Sequence, residues 1–245
     1  MKYENVEESE YLPGLELPKI REFSEGSALR AIAARPQFDR YIFIEKHEPT
    51  LNNLRSAVES ADRMIIPKCS FVHADANEEL RRLPDAFRLG GKRAVLFLDP
   101  FGAEVDWATL ESLAQVPVFD VWYLFPTMFV QRAIRKDGCI LETCESRLDR
   151  VLGDCDWRDW FVRPVPSNDL FEVGERFESA ANPEAIEQFV NERLNQIFPG
   201  GTGDNAVRLR NSKNSTMFSL FFSMSNPDPR ARALAMKIAN HILRG

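Results

Sequence analysis

The sequence has little of what would assign it quickly. Its four cysteines, Cys69, Cys139, Cys144 and Cys155, form no CxxC pair, and their spacing fits no common zinc pattern. They read as reduced thiols in a cytosolic chain. Histidine is scarce; His47 and His73 flank two expected strand ends and read as surface residues, so no metal is expected. No apolar run approaches the roughly 20 residues of a membrane span. The opening "MKYENVEESEY" is acidic where a signal peptide would be basic and then apolar. These absences predict a soluble, cytoplasmic protein with no membrane partner. Positive charge is also in deficit: a net charge of −6 provides no general basic field for nucleic acid. Two local clusters, Arg132, Arg135 and Lys136, then Arg208, Arg210 and Lys213, read as ordinary solvated surface. Asn214-Ser215-Thr216 matches a glycosylation acceptor by chance, since no secretion signal accompanies it.

A glycine-rich turn after an opening apolar strand is missing too. Residues 1–27 are polar and proline-dotted, with Gly14 and Gly26 standing alone, and they read as a mobile arm or linker. "PGGTGD" (199–204) is rich in glycine, but it follows a helix and precedes a late hairpin, so it reads as a turn.

What the 245 residues do contain is a rhythm, with 44% apolar content, enough for one large core. "GSALRAIAARP" predicts a short helix capped by Ser27, and "YIFIE" (41–45) a strand. "PTLNNLRSAVES" predicts a helix from Pro49, with Leu51, Leu54 and Val58 at helical spacing. "CSFVHA", "AVLFLD" and "VFDVWYLFP" are further strands, each of the first two followed by a helix. Near-continuous apolar strands alternating with helices predict an α/β, Rossmann-like parallel sheet, with 41–45, 69–74, 94–98 and 118–125 as neighbours in one sheet. Residues 28–126 form this core. Residues 127–205, containing "DCDWRDWF" and "PEAIEQFVNERLNQIF", read as a helical insertion. Residues 206–245 return as an antiparallel hairpin ("AVRLRN", "TMFSLFFSMSN") and a closing amphipathic helix. Trp107, Trp122, Trp157 and Trp160 read as packing residues, and Phe125-Pro126 either walls a pocket or ends a strand.

In an open α/β sheet, ligands bind beyond the carboxyl ends of the strands. Three acids stand there in succession: Glu45, Asp75 and Asp99. Each alone could cap the next helix or turn, and Asp75 stands just ahead of a helix beginning near Ala76. An acid after the second strand of a nucleotide-binding sheet typically accepts from ribose hydroxyls. The strand "AVLFL" ends in Asp99-Pro100-Phe101-Gly102, a carboxylate, a rigid proline, an aromatic ring and a glycine, which suits a planar amine held against an aromatic face.

The segments "GSALRAI…FDRYIFIEK", "HADANEEL", "AVLFLDPFGAEVDWATLESLA" and "FDVWYLFP", with "SRLDRVLGDCDWRDWF" and "FSLFFSMSNP", resemble the three-Cys-motif partner proteins over roughly residues 26–244. These are class I S-adenosylmethionine-dependent methyltransferases by prediction. The resemblance implies a methyltransferase fold in which Glu45 holds the cofactor ribose and Asp75 with Ala76 lies against its adenine. It makes Asp99, Pro100, Phe101 and Gly102 the catalytic counterpart of the Asp-Pro-Pro-Tyr type motif of amino-methylating enzymes, with a nucleic-acid base as substrate. It also implies a partner protein carrying the three-cysteine motif. Where this sequence departs from the pattern, at the absent first strand and glycine loop, the expectation is a chain that begins after them, through a truncated gene or a start assigned too late. Such a chain is expected to bind S-adenosylmethionine weakly or not at all. The alternative function is a non-catalytic, methyltransferase-like scaffold working in a complex. A nucleotide-binding oxidoreductase shares the missing loop and has no matching catalytic constellation.

Overall fold

The computed structural model describes residues 26–87, 91–100, 102–153, 156–165 and 176–243. Residues 1–25 of the arm expected over 1–27, together with Phe101 and Cys155, lie outside the described residues, and Ser27 at the arm's end already begins α1. The first half runs α1 (Ser27–Ala33), β1 (Tyr41–Glu45), α2 (Glu48–Ala61), a 3₁₀ segment (Arg63–Lys68) and β2 (Cys69–His73). It continues through α3 (Ala76–Phe87), β3 (Ala94–Leu98), α4 (Trp107–Ala114) and β4 (Phe119–Phe125). Pro49 sits in the first turn of α2, where its missing N–H has no intrahelical partner to lose, and Leu51 and Val58 form its buried stripe. Ser27 is not the cap of α1. Gly26 holds that place, and the Ser27 hydroxyl is directed elsewhere.

The four early strands do not form one hydrogen-bonded sheet. β1 pairs in parallel with β2, Tyr41 opposite Cys69 and Glu45 opposite His73. Separately, β3 pairs in parallel with β4, Ala94 opposite Phe119 and Leu98 opposite Tyr123. Among the described residues β1 and β3 each end their sheet on an open edge. The sequence predicts strands correctly from apolar runs, but such runs say nothing about which edges meet.

The second half adds α5 (Thr127–Ala133), α6 (Glu142–Leu152), α7 (Trp157–Phe161), β5 (Val162–Val165) and β6 (Arg176–Ser179). It closes with α8 (Pro183–Ile197), β7 (Val207–Arg210), β8 (Thr216–Met224) and α9 (Pro229–Leu243). The expected late hairpin is present: β8 lies antiparallel between β4 and β7, completing the order β3-β4-β8-β7. The segment read as helical also holds a small antiparallel pair, β5 with β6. Each is four residues long, and β5 contains Pro164, so neither shows the alternation that marks a strand in sequence. The fold is therefore mixed α/β.

Alternation sorts the side chains of β3 and β4 onto two faces. Ala94, Leu96, Leu98, Phe119, Val121 and Tyr123 meet the main core with α4, α6, α7 and α8. Trp157, Leu148, Leu152 and Phe161 are fully buried there, so the segment 127–205 packs into the same core as the strands. Trp107 is likewise buried, Trp160 meets Phe189 edge-on and Trp122 lies against Phe222, as packing residues should. Phe125 is buried against Phe221, and Pro126 holds the N-cap position of α5. The glycine turn is pinned to β8. A Cβ on Gly200 would sit 2.4 Å from the Asn226 carbonyl oxygen, which only glycine avoids.

Candidate active site at the strand ends

Glu45 closes β1 and is half-buried. Its Oε1 accepts from the His47 N–H at 2.8 Å, which turns the chain into α2 and leaves the second carboxylate oxygen for another donor. Asp75 does what the modest reading of the sequence allows: its Oδ1 accepts from the N–H groups of Asn77 (2.9 Å) and Glu78 (3.3 Å), capping α3. Its other oxygen lies 4.0 Å from Lys46 Nζ. Ala76 is the first residue of that helix and exposed. The His73 ring, on β2, bonds the Lys46 carbonyl at 2.8 Å and so ties the two strand ends together.

Asp99 follows β3 directly. The Ser27 hydroxyl donates to its Oδ2 at 3.4 Å, across 72 residues of sequence. Desolvation by the surrounding chain raises the Asp99 carboxyl above its ordinary value, against the lowering effect of the Ser27 bond. The residue itself is exposed. Pro100 is half-buried beside it, and Gly102 takes φ +89°, a left-handed turn that L side chains rarely adopt. The role expected of Phe101 lies outside the described residues.

The loop after Gly102 brings in residues that sequence reasoning missed. Glu104 has its carboxyl raised by desolvation, opposed by Lys46, Arg147 and His47 and reinforced by Glu45. Those neighbours bring the loop after β3 within electrostatic reach of the end of β1. Asn77 makes the junction. Nine per cent exposed, it donates to the Glu104 carbonyl at 2.7 Å and accepts from the Asp106 N–H (2.9 Å) and the Thr109 hydroxyl (2.8 Å). A buried asparagine satisfied on both sides of its amide is a strong constraint on loop position. Its only sequence signal was a polar residue on the inner face of an amphipathic helix. Arg81 and Arg150 flank the same loop, each 3.8 Å from Asp106.

Elsewhere arginines of both charged clusters are partnered. Arg208 is held by Glu184 and Glu187, which raises its affinity for its proton and removes it from a free basic face. Arg135 pairs with Asp137 at 3.6 Å. A polar groove between α8 and residues 202–206, lined by Glu187, Asn191, Asn195, Asp204 and Arg232, lies away from the strand ends. Among the described residues no group of three or more His, Cys, Asp or Glu could hold a metal ion, and no helix is long and apolar enough to cross a membrane. Cys69, Cys139 and Cys144 are free thiols. Comparison with protein-family models, with curated proteins and with solved structures finds no match to this chain.

Proposed function

We propose that this chain is the core of an S-adenosylmethionine-dependent methyltransferase that acts on an amino group of a nucleic-acid base. One observation carries the reading: Glu104, on the loop that Asp99 opens, lies within electrostatic reach of Glu45, Lys46 and His47 at the end of β1. An acid suited to a ribose and the loop of an acid suited to an amine are thus neighbours, although their strands pair in separate sheets. The order of the elements supports it as well, with parallel strands joined by helices and a closing antiparallel pair. So does the resemblance of the strand-end motifs to the three-Cys-motif partner proteins.

When bound, S-adenosylmethionine supplies an activated methyl group on a sulfonium, so the protein's task is alignment more than acid–base work. Glu45, with one carboxylate oxygen fixed by His47, offers the other to ribose hydroxyls. Asp75 gives one oxygen to the helix cap, which leaves its Oδ2 edge and the Ala76 backbone for the adenine side. Asp99 accepts a hydrogen bond from the substrate amine, and Pro100 keeps that acceptor in place before the substrate arrives. The residues present fit the ribose and the amine. The second reading is a non-catalytic, methyltransferase-like scaffold in a complex with a three-Cys-motif protein.

Calorimetry and transfer of labelled methyl to mixed cellular RNA and DNA separate the two. In a protein that binds the cofactor, Glu45→Ala weakens affinity by about 1.5–3 kcal/mol, the worth of a charged hydrogen bond. Asp99→Ala abolishes transfer and leaves cofactor affinity nearly unchanged. Undiminished transfer by the Asp99 variant would return that residue to a strand end and a tight turn. Absence of cofactor binding in the unmodified chain favours the scaffold.

A further inference from the structure

We propose that α9 is a docking surface for an acidic, amphipathic helix of a partner protein, received along the row Leu234, Ile238 and Ile242. Neither the strand-end acids nor methyl transfer enters into it.

Alternation gives the large sheet a second apolar face. Phe119, Val121 and Tyr123 of β4 turn into the main core with Phe221 of β8, so Trp122 of β4 and Phe222 and Met224 of β8 turn away from it. The helix α9 covers that second face. Ala231, Ala235, Ala239 and Leu243, a row at four-residue spacing, pack there with Met236. Polar contacts hold the helix from the side. The Asn240 side chain accepts from the Asp204 N–H at 3.1 Å and donates to Asp204 Oδ2 at 2.8 Å. Arg232 lies over the glycine turn, where a Cβ on Gly201 would stand 3.1 Å from its guanidinium. The inner side of α9 is thereby anchored.

The outer side is not an ordinary solvated face. Leu234 is 63% exposed, Ile238 52% and Ile242 51%. At four-residue spacing they stand one above the next, forming a ridge about 100° round the helix from the inner row. Among the described residues none of the three packs into a core cluster. Single apolar residues scattered on a surface need no explanation, but a contiguous exposed ridge marks a contact surface.

Charge decides the occupant. The chain carries a net charge of −6, yet α9 holds Arg230, Arg232 and Lys237 and no acid. Arg232 is committed to the glycine turn. Arg230 and Lys237 are exposed, and Leu234 stands four residues after the one and three before the other, so both cations border the ridge. Among the described residues neither side chain is ion-paired. An aliphatic ridge bordered by unpaired cations is complementary to a helix whose own apolar row is bordered by Glu or Asp. Two copies of α9 face to face would set cation against cation. An anionic bilayer is a poor match too: interfacial helices carry Trp or Phe and a denser set of cations, and α9 has no aromatic residue but His241. Because α9 is already folded and anchored, its partner meets a surface that needs no ordering.

The probe is a labelled helical peptide of about 20 residues, with Leu at three positions four apart and Glu on both sides of them, titrated against the full chain by fluorescence anisotropy. Saturable binding with Kd on the order of 10 μM is expected, weakening severalfold between about 50 and 300 mM salt. The same peptide with Lys in place of Glu should bind at least about tenfold more weakly. Leu234→Gln with Ile238→Gln, two exposed changes that keep helix propensity, should hold the melting temperature within about 2 °C and cost at least about tenfold in affinity. Arg230→Glu with Lys237→Glu should reverse the preference, making the Lys peptide the tighter ligand. Absence of binding by both peptides, equal affinity for the two, or full affinity in the Gln variant overturns the proposal. So does a dimer of the parent chain that the Gln variant abolishes, which would make a second copy the occupant. Co-sedimentation with phosphatidylserine–phosphatidylcholine vesicles that depends on the same two residues would overturn it in favour of a lipid surface.

Discussion

The two sheet fragments differ sharply in how they are held. The β3-β4-β8-β7 sheet backs onto a core that draws Trp107, Trp157, Phe119, Phe161 and Phe198 from four separate segments. The β1-β2 pair has a satellite cluster of four buried residues, Ile32, Tyr41, Val58 and Ile65, with Phe43 and Phe71 stacked beside it. A two-stranded sheet with so small a core has marginal stability of its own. It persists here because Ile44 of β1 packs into the main core that α3 helps to form, and Asn77 bolts the β3 loop to that helix. The candidate site lies along this seam between a rigid half and a borrowed one.

Truncation of a core residue in each half breaks the comparison most severely. Phe125→Ala, at a site with no exposure and with Tyr123 and Phe221 edge-on, should lower global stability by about 3–5 kcal/mol in urea unfolding. Ile65→Ala should cost about 2–5 kcal/mol, but locally. Exchange should accelerate over 41–45 and 69–73 while 119–125 and 216–224 keep their protection. Equal loss across both sheets would mean that the halves unfold as one unit.

Next in size is the seam itself. Asn77→Ala leaves the Asp106 N–H and the Thr109 hydroxyl without their acceptor, at about 1–3 kcal/mol for a buried unsatisfied group. The Asp106 amide should lose protection first, before any strand of the large sheet.

The smallest effect sharpens the picture of the site. Asp99 and Glu104 both have carboxyls raised above their ordinary values of 3.8 and 4.5 by desolvation. The folded chain therefore holds these protons more tightly than the unfolded chain does. Their contribution is full below the unfolded value and is lost as pH rises through the folded one. Asp99→Asn removes one titration, so its stability relative to the parent should climb as pH rises above 3.8 and stay level below it. Urea midpoints across that range measure this. A flat difference would mean that Asp99 is fully solvated.

The elements were legible because their signals are local. The runs 41–45, 94–98 and 119–125 are strands, and the stripe of Leu51 and Val58 is a helix face, since period and β-branching act within a few residues. The late hairpin was equally plain. At the site, strand-end position identified Glu45, Asp75 and Asp99, but their partners were out of reach of local pattern. Ser27 had the look of a helix cap, and the structure sends its hydroxyl to Asp99. Glu104 and Asn77 carry no motif at all. They matter only because the β3 loop lies on α3.

By itself, then, the sequence determined which segments become strands and helices and where acids fall at strand ends. These follow from side-chain periodicity and backbone propensity, which are properties of neighbours in the chain. Only the tertiary structure decided that, among the described residues, the parallel strands pair as β1 with β2 and β3 with β4, and how Asn77, Glu104 and Ser27 gather around the seam. Pairing depends on which hydrogen-bonding rows face each other across space, and no local run of residues encodes that.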